Sequence, residues 1–74
     1  MTQRYLIVIE GGEGENFSAS SPDVAGVVAT GATFEECERQ MREAIEFHLD
    51  GLRADGGPLP EPHSTASYAV VDLG

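Results

Sequence analysis

The sequence predicts a small α+β fold of order βββαβ: a four-stranded sheet in the order 3-2-1-4 with one long helix on one face. Three observations predict it. Three short β-rich stretches separated by glycine and proline turns fill the chain as far as Gly31, one unbroken run of helical period follows, and a further β-rich stretch comes last. Three strands in a meander leave the first and third running the same way. The helix then returns the chain to lie parallel beside the first strand, with a right-handed crossover.

The first strand is expected over Arg4–Glu10, "RYLIVIE". Tyr5, Ile7 and Ile9 fall on one face and Leu6 and Val8 on the other, the pattern of a strand covered on both sides. "GGEG", Gly11–Gly14, reads as a hairpin turn, and Glu15–Ser20, "ENFSAS", as a weaker second strand. Pro22 and Asp23 end that ladder, because proline donates no hydrogen bond and aspartate favours turns. "GVVATG", Gly26–Gly31, is the third strand.

Thr33 is expected to open the helix, with Glu36 three positions on to complete a capping box and Glu35 and Glu36 at the positive end of the helix dipole. The helix should run to about Ala54. At 100° per residue, Phe34, Cys37, Met41, Ala44, Ile45, His48, Leu49 and Leu52 fall within an arc of roughly 140°, and Phe47 lies outside it. "DGGPLPEP", Asp55–Pro62, stops the helix with glycines and continues as a Pro-rich connector. Ser67–Leu73, "SYAVVDL", is the expected fourth strand, again apolar on both parities. No internal repeat is present, and residues 1–74 read as one domain.

Composition narrows the function. Four arginines, no lysine and thirteen acidic residues give a net charge of −9, which repels phosphate backbones and disfavours direct nucleic-acid binding. The same charge attracts a basic partner, or simply keeps the chain soluble. One cysteine and an N-terminal apolar run of about five residues, too short for a signal core or a membrane span, point to a soluble cytoplasmic protein. A domain this short is marginal without a staple, which leaves self-association as the way to stabilise it. A homodimer or a higher even-numbered oligomer is expected, formed through the open face of the sheet.

Candidate chemistry is sparse. "GGEG" makes a poor phosphate cradle, because Glu10, Glu13 and Glu15 crowd it and a strand follows instead of a helix. Cys37 and His48 lie eleven positions apart on one helix, about 16 Å along its axis, and cannot act together. Cys37 reads as a small core residue, and His48 as a core or boundary histidine whose ring N–H meets a backbone carbonyl. His63 has no ligand companions. Glu10 and Asp72 end the first and fourth strands. As parallel neighbours, with a helix acid such as Glu38, they form a candidate magnesium trio of the two-metal nuclease kind. Adjacent acids are common in so acidic a chain and no substrate cleft accompanies them, so the nuclease is the lesser reading. No cofactor is expected.

The stretch "FSASSPDVAGVVATGATFEE" resembles the HicB-like antitoxin family, whose pattern is roughly aromatic-x-A-x-x-P-D-[LV]-P-G-C-x-[ST]-x-G-D-[ST]-hydrophobic-E-E-A. The resemblance runs through Phe17, Ala19, Pro22, Asp23, Gly26, Gly31, Thr33, Glu35 and Glu36. "EAIEFHLDGLRADGGPLPEP" is similar to the family's long helix and its Gly-x-x-[IL]-P-x-P exit, at Glu43, Ala44, Ile45, His48, Gly57, Pro58, Leu59, Pro60 and Pro62. Ala25, Val27, Ala32 and Cys37 depart from the pattern, all as small or apolar swaps.

The resemblance implies a partial RNase H-like βββαβ domain, the same order that the residues give. It also implies a non-enzymatic type II antitoxin that binds and masks a small basic HicA-type ribonuclease toxin, or a solo relative of one. Family members often add a C-terminal DNA-binding domain. No such segment is read here, so operator recognition by this chain is not expected. Pro22, Asp23, Gly26, Gly31, Thr33, Glu36 and Pro60 are read as scaffold residues, and Tyr5, Ile7, Phe47, Tyr68 and Val70 as the candidates for contact with a partner or a second copy. A stand-alone oligomer binding a small regulatory ligand is the alternative.

Overall fold

The computed structural model of the chain describes residues 2–12 and 14–74. Glu13, read above as part of the hairpin turn, lies outside the described residues. Three strands and one helix follow in order: β1 (Val8–Glu10), β2 (Phe17–Ser20), β3 (Val28–Gly31) and α1 (Phe34–Ala54). The strands form one antiparallel sheet in the order β1-β2-β3.

Every strand is shorter than the sequence pattern alone suggests, and β1 most of all. Its antiparallel register sets Val8 opposite Ser20, Ile9 opposite Ala19 and Glu10 opposite Ser18. Continuing that register backwards would set Leu6 against Pro22, which has no N–H to give. The ladder therefore stops at Val8. Leu6 instead donates its backbone N–H to Oδ2 of Asp23 at 2.9 Å.

The pleat sorts the sheet into two unlike faces. Ile7, Ile9, Phe17, Ala19, Ala29 and Gly31 share the parity that faces α1, and Ala19 is buried there. Val8, Ser20 and Val28 form one cross-strand row on the other face, and Glu10, Ser18 and Thr30 the next. Four of these six side chains carry a hydroxyl or a carboxyl. The apolar demand expected of it rests on the two valines and Leu6.

α1 behaves as its period predicts. Thr33 is the N-cap, in extended geometry, and its Oγ1 accepts from the Glu36 N–H at 3.1 Å. This satisfies one of the donors that a helix start leaves free. Cys37, Met41 and Ile45 are buried beneath the sheet with Val24 and Val27, and Tyr5, Phe17, Ala44 and Leu49 pack around them. Phe34 stands at the edge with its ring edge-on to Phe17, centroids 6.5 Å apart at 86°, an arrangement that aromatic quadrupoles favour.

At the other end Gly56 takes φ +73°. Its N–H donates to the Arg53 carbonyl and that of Gly57 to the Leu52 carbonyl, both at 3.1 Å. These are the two crossed bonds of a Schellman stop, which glycine makes without steric cost.

Beyond the helix the chain is irregular to its last residue. Ser67–Leu73, expected as a fourth strand beside β1, makes no ladder in the three-stranded sheet. No helix among the described residues is long and apolar enough to cross a membrane.

Candidate interaction surface

The stretch between β2 and β3 is held by several side-chain to backbone hydrogen bonds, and it is built around Asp23. Ser21 is buried, and its Oγ accepts from the N–H groups of Asp23 and Val24, both at 3.2 Å. This local turn holds the Asp23 carboxylate inward, where its two oxygens accept from different parts of the chain. Oδ2 takes the Leu6 N–H at 2.9 Å, and Oδ1 takes the His63 N–H at 3.0 Å. The His63 ring adds its Nδ1 at 3.3 Å from the same Oδ1.

The Leu6 N–H, then the His63 N–H, hold the carboxyl below its ordinary value near 3.8. A Ser64 hydrogen bond and the His63 charge add to this, against burial, which pushes the other way. Close by, the Tyr5 hydroxyl donates to the Pro60 carbonyl at 2.8 Å. The Pro-rich connector is therefore pinned beside β1 at two points, Pro60 and His63.

Two apolar surfaces flank this anchor. One is a groove of 480 Å³ between the end of α1 and the edge of β3, lined by Val27, Val28, Ala44, Phe47, His48 and Leu52 among others. Phe47 is 83% exposed and Val28 72%, so the groove has an apolar rim left open by the described residues. His48 is half-buried in its wall and makes no hydrogen bond from its ring among the described residues; the carbonyl partner expected of it is absent there.

The other surface is the C-terminal segment. Tyr68 and Val70 are 96% and 101% exposed, Leu73 is nearly as open, and Val71 is about two thirds exposed. Removing four such side chains from water would contribute about 1.5–3 kcal/mol each, comparable with the whole stability of a small domain.

The five candidate contact residues thus fall into separate places. Tyr5 and Ile7 pack against the core, Tyr5 with its hydroxyl occupied by the connector. Phe47 stands in the helix groove, and Tyr68 and Val70 on the C-terminal segment. Among the scaffold residues, Gly31 is buried against the first turn of α1, Thr33 caps it, and Pro60 receives Tyr5.

Asp23 does more than end β2, and His63 more than fill a connector. Sequence reasoning missed their bond because the partners are 40 positions apart. The nearest signal was a Pro-Asp pair ahead of a Pro-rich exit. Glu10 and Asp72 do not join a third ligand: no group of three His, Cys, Asp or Glu side chains among the described residues could hold a metal ion. The Asp72 carboxylate instead accepts from the Gly74 N–H at 2.9 Å. Cys37 is buried as a core residue, with its Sγ 3.9 Å from the Ala29 carbonyl.

Comparison with known proteins adds one family and two relatives. Residues 5–71 match the model of the HicB-like antitoxins of bacterial toxin–antitoxin systems. The chain is 33% identical over 54 residues to an uncharacterized 14.9 kDa protein of the rep-hol intergenic region of Haemophilus phage HP1. It is 32% identical over 57 residues to a UPF0150 protein of Synechocystis. These alignments take in 73% and 77% of this chain, and 41% of the phage protein and 72% of the Synechocystis one. The chain therefore spans about two fifths of the phage relative. No solved structure matches it.

Proposed function

The chain belongs to the HicB-like antitoxin family, and from that premise we propose that it is the antitoxin half of a toxin–antitoxin pair. It would bind and mask a small basic HicA-type ribonuclease toxin. The observation that carries the reading is the family match, which takes in all three strands, the helix and the Asp23 anchor. Charge supports it. A net of −9 on 74 residues would speed the encounter with a basic partner and lower its affinity for RNA while bound.

In this reading the chain works by covering a surface, and performs no reaction of its own. The uncovered rim of Phe47 and Val28 supplies an apolar anchor of the kind that dominates binding energy, and the acidic surface around it gives orientation. The buried, unpaired Cys37 suits a reducing cytoplasm, and the chain would act there as a homo-oligomer.

The test is co-purification of the tagged chain from its native host at low salt, with mass spectrometry of what elutes. A small basic protein in stoichiometric amount, released as salt rises, is the expected result. Recovery of the chain alone would remove the masking role. A second reading, a stand-alone oligomer that takes a small regulatory ligand, draws on the 480 Å³ groove beside α1; a ligand-dependent rise in Tm would favour it.

A further inference from the structure

We infer that Ser67–Leu73 completes the sheet of a second copy of this chain, pairing as a fourth strand along the open edge of β1, so that two copies exchange their C-terminal segments in a symmetric dimer. The inference goes beyond the antitoxin reading and does not depend on it.

The segment has the make-up of a strand and the environment of none. Tyr68, Val70, Val71 and Leu73 are all exposed, Val70 completely. The protomer measures 53 × 26 × 20 Å with a radius of gyration of 14.5 Å, against about 11 Å for a compact chain of this length. The excess length fits a segment that leaves the body. Seven residues of strand span about 23 Å.

The anchor at Asp23 explains why the segment does not turn back onto its own sheet. Leu6 and His63 donate to the two oxygens of one carboxylate, so their backbones are level with each other at the start of β1. A chain running on from there beside β1 would set Ser64–Ser67 against Ile7–Glu10. Tyr68 and the apolar residues after it would then pass beyond Glu10, where β1 ends. The register that Asp23 imposes thus offers the polar "STAS" to the chain's own edge and carries "YAVVDL" past it.

The edge left open has matching properties. Among the described residues β1 pairs only with β2, so its other side has no ladder and is a ready template for one more strand. A cleft of 620 Å³ lies between residues 2–7 and the connector at Pro62–Ala66, on the line an added strand would follow.

Charge then selects the occupant. Two chains of net −9 repel each other, so they can meet only where charge is sparse. Tyr5–Ile9 carries none, and Ser67–Leu73 carries only Asp72 near its end. A basic partner would have little to pair with there. One chain holds both the unpaired segment and the unpaired edge, so two copies satisfy each other reciprocally and the assembly closes.

The test uses the full chain without any partner. Light scattering at about 50 μM should give twice the chain mass. Val70→Asp, at a site wholly exposed in the protomer, should weaken the dimer at least 100-fold while leaving the far-UV circular dichroism unchanged. Chains carrying only Val8→Cys, mixed with tagged chains carrying only Val70→Cys, should be joined by a short bis-maleimide into a product holding one tag, since Cys37 is buried. A monomeric chain, a dimer that survives Val70→Asp, or a cross-link found only within a chain carrying both substitutions would each overturn the inference.

Discussion

The His63 backbone N–H donates to Oδ1 of Asp23 at 3.0 Å across 40 positions of sequence, while Oδ2 of the same carboxylate takes the Leu6 N–H at 2.9 Å. One side chain therefore fixes where the first strand begins and where the Pro-rich connector passes it. Backbone donors carry this link, because the His63 ring is 66% exposed and exposed ion pairs contribute little. Asp23→Ala would leave partly buried N–H groups without an acceptor and should lower Tm by more than about 5 °C. His63→Ala keeps the backbone donor and should move Tm by less than about 2 °C. Equal losses from the two variants in thermal melts would mean that the ring, not the backbone, holds the connector.

The same carboxylate sets an acid dependence. Its pKa in the folded chain is below the unfolded value of 3.8, the Leu6 N–H being the largest cause. A group with a depressed folded pKa contributes stability above the unfolded value and loses it as pH falls through the folded one. The stability difference between the parent and Asp23→Asn should thus be constant from pH 7 down to about 4.5 and shrink below about 3.8. Urea titrations at a series of pH values measure it. A difference that grew on acidification would reverse the sign argued here.

Gly31 holds the other close approach. A Cβ placed there would lie 2.5 Å from the Cys37 nitrogen and 2.8 Å from its Cα, both backbone atoms of the first helical turn. The position is buried, and the helix cannot move off without unpacking Met41. Gly31→Ala should therefore destabilise by about 1–3 kcal/mol, as overpacking does, even though alanine suits a strand better than glycine. Gly51 has open space around the same atom, so Gly51→Ala should stabilise α1 by about 0.5–1 kcal/mol. Denaturant unfolding of the pair checks both signs.

How far the fold could be read ahead of the structure depended on range. Features closed within a few residues were legible: Thr33 as the cap, Cys37, Met41 and Ile45 as the buried stripe, Gly56 and Gly57 as the stop, and Ser18 and Ser20 alternating with Phe17 and Ala19. Features that need a distant partner were not. Apolar residues at both parities of Tyr5–Ile9 suggested a long strand, but its neighbour gives out at Pro22 and only three residues reach the ladder. Ser67–Leu73 reads as a strand by every local rule, yet pairing needs a free edge within reach, and the register of the connector is set by Asp23. The candidate surface divided in the same way. Phe47 was legible as an outward aromatic because it breaks the helical stripe. The hold on Tyr5 by Pro60 was not, because nothing near either residue announces it.

Phe47 gives the sharpest separation of function from fold. At 83% exposure it adds little to the protomer, so Phe47→Ser should change stability by no more than about 0.5 kcal/mol. Met41, fully buried under the sheet, should cost about 2–5 kcal/mol on truncation to alanine. If the rim of Phe47 and Val28 is where a basic partner seats, Phe47→Ser should reduce co-purification of that partner at least tenfold while the chain keeps its parent Tm. A charge lining the groove should act differently: Asp55→Asn would slow association at low salt and matter less as ionic strength rises. A Phe47→Ser chain that still retains its partner at full strength would move the contact away from the groove and leave the open sheet face as the remaining surface.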